Sequence, residues 1–354
     1  MIARRKTRQV NVGGVLIGGG AAISIQSMTK SPTSDTAAVI EEVRRLESAG
    51  CEIVRVAVKD PGDASAIRLI KRKIKIPLVA DIHFNHRLEI ESIKAGADKI
   101  RLNPGNIARR EDVRSVIDAA KRAGIPIRIG VNSGSALTGK GGATVSDDLV
   151  KAALGFIKIF KESGFHDIII SLKASDVVET IRSYRKISDL CDYPLHLGVT
   201  ASWPYESGSV KSAIGIGSLL ADGIGDTIRV SLTADSVEEV LAGKRILEAL
   251  KMRRFGHEII SCPTCGRCQV DLDSIVRRLE RELAQGTRPA CGKKPLTIVV
   301  MGCEVNGPGE AREADVGIAF GRDSGMLFKK GKAFKKVAAK NAVAELMKLL
   351  ITYY

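Results

Sequence analysis

Short runs rich in β-branched residues alternate with longer amphipathic segments from residue 23 to about residue 251. Helix-like stretches such as "AAVIEEVRRLESAG" (37–50) separate the runs. The strand-like runs are "ISIQSM" (23–28), "EIVRVAV" (52–58), "IPLVADIH" (76–83), "DKIRLN" (98–103), "PIRIGVN" (126–132), "DIIISLK" (167–173), "PLHLGVT" (194–200) and "DTIRVSL" (226–232). Eight such units predict a (β/α)8 TIM barrel, an α/β fold of typically ~250 residues.

A glycine-rich stretch, "GGVLIGGG" (13–20), precedes the first of these strands. In an open doubly wound sheet, a glycine-rich dinucleotide loop follows the first strand. Because the order here is reversed, we interpret the stretch as a turn.

The pattern changes after residue 252. The stretch "HEIISCPTCGRCQVD" (257–271) is followed by helix-like 272–285, strand-like 296–310 and 314–320, and helix-like 334–350. We therefore predict a TIM-barrel substrate-binding domain over residues 1–252, followed by a small α+β iron–sulfur domain over residues 253–354.

The chain of 354 residues has a formal net charge of +15. The excess is densest at the C-terminus, where a run of lysines begins at Lys329. Such a patch can steer an acidic electron-transfer protein. Aromatic residues make up only 4 % of the chain and are not interleaved with this run, so we predict no nucleic-acid partner.

The N-terminal segment is basic, but no apolar segment of a signal peptide follows it. No apolar run approaches the ~18 residues of a membrane span. Seven cysteines, an odd number crowded toward the C-terminus, do not suggest a secreted disulfide framework. We expect a cytoplasmic protein without a membrane partner.

Polar side chains cluster at the carboxyl ends of the predicted barrel strands, where active sites of this fold lie. Five strands each contribute a cation, and cations converging on one rim repel one another unless an anion binds among them. Arginine forks bind phosphate, so we expect a small substrate with a diphosphate or several phosphates. The cations are Arg55, Arg101, Arg128, Lys173 and Arg229. A simpler alternative is that carboxylates of rim loops pair with some of them.

The second domain contains "SCPTCGRC" (261–268) and "MGCEVNGPGE" (301–310). A zinc ribbon needs a second Cys-x2-Cys pair, which is missing, and Pro263 disfavours a thioredoxin-like redox pair. An iron–sulfur cluster held by Cys262, Cys265 and Cys303 fits best, with a carboxylate or an open position on the fourth iron.

These motifs, together with "ADIHF", "RLNPGNI", "IRIGVN", "SLKASD", "HLGVT", "KSAIGIG" and "GIGDTIRVSL", closely resemble the IspG/GcpE family of bacterial 4-hydroxy-3-methylbut-2-enyl diphosphate synthases. They occur in the family's order from about residue 23 to residue 325.

The resemblance implies a 4Fe-4S cluster on Cys262, Cys265 and Cys303, with Glu310 on the fourth iron. It implies reductive ring opening and dehydroxylation of 2-C-methyl-D-erythritol 2,4-cyclodiphosphate in the non-mevalonate isoprenoid pathway. Reduced flavodoxin or ferredoxin would supply the electrons. It also implies a homodimer in which one subunit's cluster domain closes on its partner's barrel.

Candidate residues follow from both lines of argument. The candidate catalytic residues are Glu310, Asp81 and His83. The candidate substrate-binding residues are Arg55, Arg101, Asn103, Arg128, Asn132, Lys173, His196, Arg229 and Ser231.

The sequence departs from the family pattern at two places. Ala201 stands where a glutamate is expected, which puts substrate positioning or proton transfer in doubt unless Glu206 reaches in. Cys268 stands where no cluster ligand is expected, either as a spare thiol or as a small apolar residue. We expect Cys51, Cys191 and Cys291 to be structural.

Two alternatives remain open at this point. One is a non-redox barrel enzyme for a phosphorylated substrate, such as a pterin-synthase-like transferase, with zinc stabilising the second domain. The other is a basic, zinc-containing nucleic-acid binder.

Overall fold

A computed structural model describes residues 2–83, 85–103, 109–134, 144–200, 203–286, 294–305, 309 and 314–353. The chain divides into two compact units, Met1–Arg253 and Arg254–Tyr354. Their border falls one residue after the predicted one. Glu310, Ala201 and Cys291, singled out from the sequence, lie outside the described residues.

The first unit is a parallel barrel, which confirms the predicted fold class. Its strands run in the order β8-β7-β6-β5-β4-β3-β10-β9, and a bridge between Ile170 and Leu195 joins the two ends. The barrel strands are β3 (Ser24–Met28), β4 (Ile53–Val58), β5 (Leu78–Ile82), β6 (Lys99–Leu102), β7 (Ile127–Asn132), β8 (Ile168–Lys173), β9 (His196–Leu197) and β10 (Thr227–Ile228).

A hairpin precedes the barrel: β1 (Gln9–Val12) pairs with β2 (Val15–Gly18). Gly13 and Gly14 form its turn at positive φ, but the interpretation of the whole stretch 13–20 as a turn is wrong for residues 15–18, which form strand β2. The hairpin packs against Ile53, Val79 and Ile169, which point into the barrel. It therefore closes the interior at the amino ends of the strands.

Each barrel strand is followed by a helix. Six of the eight begin at a side chain that accepts a hydrogen bond from the first turn: Asp35, Asp60, Asn85, Thr144, Asp176 and Asp235. The helices are α1 (Thr36–Ala49), α2 (Pro61–Lys71), α3 (His86–Lys94), α4 (Arg110–Ala123), α5 (Val145–Glu162), α6 (Val177–Leu190), α7 (Tyr205–Ala221) and α8 (Ser236–Ala249). Among the described residues, no helix combines the length and apolar character needed to cross a membrane.

The second unit is a five-stranded sheet in the order β11-β12-β13-β14-β15, parallel over the first three strands and antiparallel over the rest. Two helices pack on one face around Leu279, Ile298 and Leu346. The strands are β11 (Glu258–Ser261), β12 (Thr297–Met301), β13 (Val316–Phe320), β14 (Ser324–Lys329) and β15 (Lys332–Ala338). The helices are α9 (Leu272–Gly286) and α10 (Ala342–Tyr353).

The prediction of a helix over 334–350 is wrong in its first third, because residues up to Ala338 continue strand β15. Lys330 and Gly331 both have positive φ and turn the chain into a hairpin with β14. Lysines alternate with small and apolar residues in this segment, and this pattern is compatible with an edge strand as well as with a helix.

Candidate active site

A cavity of about 170 Å³ opens at the carboxyl ends of the barrel strands. Eleven of its thirteen lining residues have polar or charged side chains, and they come from seven strands or the loops that follow them. The lining residues are Arg55, Asp81, His83, Arg101, Arg128, Gly130, Asn132, Ser171, Lys173, Val199, Thr200, Arg229 and Ser231.

Strand alternation places these side chains. On β7, for example, Arg128 and Asn132 point inward, whereas Ile127 and Ile129 lie in the buried layer between strands and helices. Glycine provides room where the cations crowd. A Cβ on Gly130 would lie 2.7 Å from Arg101 Nε, and one on Gly198 would lie 2.5 Å from Lys173 Nζ.

Asp81 is the central carboxylate of the cavity. Its Oδ1 accepts a hydrogen bond from Arg101 Nη1 at 3.1 Å, and its Oδ2 lies 3.6 Å from Arg55 Nε. Burial favours the neutral acid, but the charges of Arg55 and Arg101, with smaller contributions from other cations, outweigh it and lower the pKa of Asp81 to about 2. Asp81 is therefore ionised throughout the physiological range.

His83 lies at the outer end of the same ion-pair network. Its Nε2 is 3.0 Å from Arg101 Nη1, and because a guanidinium only donates, Nε2 is the acceptor and the ring proton lies on Nδ1. Burial lowers the pKa of His83 below its ordinary value, against the attraction of Asp81. His83 is a neutral imidazole at pH 7.

Arg229 has its own counter-charge. Its Nη2 donates to both carboxylate oxygens of Glu239, at 3.3 and 3.2 Å, and its Nη1 donates to Ser231 Oγ. Glu239 is 1 % exposed and extends from helix α8. The carboxylates that pair with these cations thus belong to a strand and a helix of the barrel, not to rim loops as in the simpler alternative.

Arg128 and Lys173 have no ion pair with a carboxylate among the described residues. Both are almost fully buried, with 2 % and 8 % exposure. Burial lowers the pKa of each, and neighbouring cations lower it further, Arg55 most for Arg128 and Arg128 most for Lys173. The cavity therefore carries uncompensated positive charge, which is the electrostatic preference of an anion site.

Nearly all of the predicted substrate-binding residues line this cavity. Two do not: Asn103 is buried nearby on its strand, and His196 lies deeper in the barrel interior without exposure. Glu206, considered as a replacement for the expected glutamate, is exposed in the first turn of α7 and does not line the cavity.

The sequence reasoning missed Gly130, Ser171, Val199 and Glu239. For Gly130 and Ser171 a signal existed, because each stands two residues from a predicted cation on the same strand face. Glu239 gave no such signal, since nothing in a helix pattern tells which carboxylate reaches across to a strand.

Three of the cysteines occupy one edge of the second unit. Cys262 follows β11 and Cys303 follows the neighbouring parallel strand β12, with Ser261 paired to Val300. The Gly302 N–H donates to Cys262 Sγ at 3.3 Å, and the Gln269 N–H donates to Gly302 O at 2.9 Å. The loop that contains Cys265 therefore folds back over the end of β12.

The chemistry of this edge suits an iron–sulfur cluster. Thiolates are the ligands of such clusters, and an N–H donor to sulfur is among the contacts that tune them. Gly302 lets the side chain of Cys268 pack over the end of β12, because a Cβ there would collide with Cys268 Sγ. Within the described ranges, no three His, Cys, Asp or Glu side chains are already gathered as a metal site.

Cys268 packs as a partly buried apolar residue against the core of the second unit, as does Cys262. Its Sγ donates to Val270 O at 3.2 Å. This is the arrangement expected of a small hydrophobic side chain.

Two family models match most of the chain. The model described as "GcpE TIM-barrel domain" matches residues 7–244, and "GcpE protein C-terminal domain" matches residues 258–352.

Full-length relatives are identical to this chain at about half of the aligned positions. The chain is 52% identical over 352 residues to a protein of Caldanaerobacter subterraneus subsp. tengcongensis, with 98% of each chain covered. It is also 52% identical over 352 residues to one of Clostridium perfringens, with 99% of each covered. Both relatives are named 4-hydroxy-3-methylbut-2-en-1-yl diphosphate synthase (flavodoxin).

Among solved structures, dihydropteroate synthases share the barrel. The enzyme from Xanthomonas albilineans has a TM-score of 0.50 at 12% identity, covering 69% of this chain and 98% of that chain. The enzyme from Vibrio fischeri has a TM-score of 0.50 at 12% identity, covering 70% of this chain and 99% of that chain. At this identity the likeness concerns the fold alone.

Proposed function

Since the chain belongs to the GcpE family of 4-hydroxy-3-methylbut-2-en-1-yl diphosphate synthases, we propose that it reductively opens 2-C-methyl-D-erythritol 2,4-cyclodiphosphate to 4-hydroxy-3-methylbut-2-enyl diphosphate. This reaction would serve isoprenoid biosynthesis by the non-mevalonate route. It needs two electrons and a site for a cyclic diphosphate.

The excess of buried positive charge in the barrel cavity is the observation that carries the proposal. Asp81 and Glu239 together compensate Arg55, Arg101 and Arg229 only in part. Arg128 and Lys173 have no carboxylate partner in the part of the chain that the structure describes. A diphosphate supplies the missing negative charge and accepts hydrogen bonds from the guanidinium groups.

The neutral groups of the cavity complement this charge. Ser231 and Asn132 line it and offer polar side chains to a bound oxygen. In the amide orientation that satisfies its neighbours, Asn132 accepts from Arg101 Nη2 at 3.2 Å and so helps to hold that guanidinium. We propose that Asn103 supports the site from the carboxyl end of β6 and that His196 supports it from deeper in the barrel.

Asp81 and His83 have distinct proposed roles. The ionised Asp81 fixes Arg55 and Arg101 in place, because it accepts from or faces both. His83, neutral and protonated on Nδ1, has a donor for a substrate hydroxyl or leaving oxygen at the mouth.

We propose that Cys262, Cys265 and Cys303 hold a 4Fe-4S cluster, with Glu310 as the fourth ligand. Bound there, the cluster would supply single electrons and Lewis acidity for C–O cleavage. The protein contributes the thiolates and the Gly302 N–H donor to Cys262, and the absence of a side chain at Gly302 lets the loop that contains Cys265 pack over β12.

Partners follow from the same proposal. A reduced flavodoxin, named in the relatives, or a ferredoxin would donate the electrons. We also propose a homodimer in which one subunit's cluster domain closes on the partner's barrel, and a cytoplasmic location.

The first test is iron and acid-labile sulfide content of anaerobically purified protein, followed by turnover of the cyclodiphosphate with reduced flavodoxin. We expect about four of each per chain and formation of the open-chain diphosphate. Lys173→Met serves as the site variant, with cluster content unchanged and substrate affinity lowered.

Zinc in place of iron, with no sulfide in carefully anaerobic material, would contradict the reductive mechanism. The remaining interpretation would then be a phosphate-binding barrel with a structural metal. A full complement of iron and sulfide without turnover of the cyclodiphosphate would instead contradict the proposed substrate.

A further inference from the structure

A layer of buried polar side chains lies in the barrel interior between the hairpin plug and the cavity. Gln26, Lys99, Arg128 and His196 belong to it, and none is more than 2 % exposed. Below them the hairpin and the apolar layer of Ile53, Val79 and Ile169 exclude solvent. The cations of the cavity lie on the other side, toward the strand ends.

The strand periodicity places Lys99 inside the barrel. Lys99 and Arg101 are two residues apart on β6 and so share its inward face, and the side chain of Arg101 reaches the cavity. Val79, on the neighbouring strand, pairs with Lys99 and also points inward. Lys99 therefore lies one step below Arg101, toward the plug.

The polar atoms of this layer have no partner among the described residues. They are Lys99 Nζ, both ring nitrogens of His196, both amide atoms of Gln26, and Nε and Nη1 of Arg128. A charged ammonium in such a place is expensive, because an unpaired buried ion costs far more than an unpaired neutral group. A neutral amine costs less and can accept a hydrogen bond from a guanidinium.

The charged and titratable groups that face Lys99 are all cationic or neutral. Arg128 on β7 and Arg55 on β4 repel its charged form, and His196 on β9 faces it across the interior. Asp81 on β5, the carboxylate of this region, already pairs with Arg55 and Arg101. Burial first, and then these two arginines, lower the pKa of Lys99 well below its usual range.

We propose that Lys99 is uncharged while the cavity holds no anion and takes up one proton from solvent when a diphosphate binds, which makes the cavity a proton-coupled anion site. The inference rests on the proposed diphosphate function of the same cavity. Bound phosphate charge neutralises the field of Arg128 and Arg55 and attracts the ammonium form of Lys99, and both effects oppose the lowering of its pKa by burial. Lys99 touches no substrate in this scheme and acts through Arg128 as a positioning residue.

The test is isothermal titration of the holoenzyme with inorganic pyrophosphate, a diphosphate without the carbon ring. Titrations in buffers of different ionisation enthalpy give the number of protons taken up, and the series runs from pH 6 to pH 9. We expect wild type to take up about one proton more than Lys99→Met near pH 7. We also expect the variant to bind about tenfold more weakly, the factor that corresponds to one pKa unit.

Lys94→Met is the matched control, because it removes a lysine from the exposed surface at the end of helix α3. It should keep the wild-type proton count and affinity. A residue with only a structural role would alter stability without altering the number of protons, so the proton count separates the two roles. Lys99→Gln replaces Lys99→Met if the methionine variant does not fold.

Equal proton uptake by wild type and both Lys99 variants would overturn the inference while leaving the diphosphate site intact. If wild type takes up no proton on binding pyrophosphate at any pH in the series, the inference is likewise overturned, and no variant is needed. Failure of pyrophosphate to bind wild type would instead reject the anion site itself, and the proposed function with it.

Discussion

At the scale of single residues, the cations that line the barrel cavity are of two kinds, those with a carboxylate partner and those without one. Arg229 is tied to Glu239, whereas Arg128 and Lys173 lack a carboxylate partner among the described residues. The first kind contributes to the stability of the protein, and the second is held ready for a ligand at some cost in stability. Removing the carboxylate of Glu239 should therefore destabilise the protein.

We expect Glu239→Gln to lower the free energy of unfolding by about 3 kcal/mol, because it leaves Arg229 buried without its counter-charge. The control is Glu162→Gln, which breaks an exposed pair with Arg110 and should cost less than about 1 kcal/mol. Urea unfolding of both variants measures the difference. Equal small losses would show that Arg229 finds another partner.

A second residue prediction concerns Glu89 on helix α3. Burial raises the pKa of Glu89 to about 8, far above the value of an unfolded chain. Between roughly pH 4.5 and pH 8 the unfolded chain releases this proton while the folded protein keeps it. The stability contributed by the neutral acid is complete below this window and declines as the pH rises through it.

Glu89→Gln removes this titration. We expect the variant to gain stability over wild type progressively from pH 5 to pH 8, by up to about 4 kcal/mol. Glu91→Gln, exposed on the same helix, should show no such trend. Melting temperatures of the three proteins across this range provide the measurement, and parallel curves for all three would contradict a buried neutral acid.

The candidate residues that sequence could predict were those marked by strand periodicity. Arg101 and Arg128 were found because a charged residue inside a β-branched run is conspicuous at a strand end. Lys99 has the same signal but was passed over, because a lysine deeper in a strand looks like a solvent-facing residue until the barrel closes around it.

At the scale of elements, a helix end is visible in the sequence where a backbone constraint marks it. Gly50 and Gly124 end their helices in the left-handed conformation, which glycine adopts readily. At the start of α6, Asp176 accepts the hydrogen bond from the Glu179 N–H. Hairpin β14–β15 was missed because its strands carry their apolar residues against helices that only the fold brings near.

The plug hairpin offers an element-level prediction. Ile17 is fully buried against the barrel floor, whereas its neighbour Leu16 is 45 % exposed. We expect Ile17→Ala to cost about 2–4 kcal/mol of unfolding free energy and Leu16→Ala less than about 1 kcal/mol. Comparable losses in a urea titration would mean that the hairpin does not seal the barrel.

The loop between β11 and α9, which contains Cys265 and is called the cysteine loop here, offers a second element-level prediction. A Cβ on Gly302, at the end of β12, collides with Cys268 Sγ, whereas one on Gly266, within the cysteine loop, meets nothing within 4 Å. We expect Gly302→Ala to lower iron and sulfide per chain by at least about half, because it displaces the loop over β12. Gly266→Ala should retain the full content, and an unchanged content in Gly302→Ala would show that the loop is not the cluster's support.

At the scale of the whole molecule, the net charge of +15 concerns partners and not the fold. With flavodoxin as donor, we expect the apparent KM for flavodoxin to rise several-fold between 50 mM and 300 mM salt. Turnover with a small artificial reductant should change much less. Equal salt sensitivity with both donors would place the effect at the diphosphate site and not at the donor surface.

Fold class was accessible from sequence at this scale, because eight repeats of one period permit few architectures. The orientation of individual charges was not, since it depends on which strand neighbours which. Pairing of β6 with β7 places Arg101 beside Arg128, and closure of the sheet brings Arg229 to the same cavity.

That closure also sets the order of events during synthesis. Strand β3 pairs with β10 through Ser24 and Thr227, so its ladder partner is made only after some two hundred further residues. At ribosomal speeds of 5–20 residues per second, β3 waits roughly 10–40 s with one edge unpaired. The β1–β2 hairpin is synthesised before β3. Its apolar residues cannot yet pack, because the barrel residues that they contact, such as Ile169, are made later. A nascent chain stalled before residue 228 would thus expose an open sheet and should engage chaperones, while one released beyond it can close.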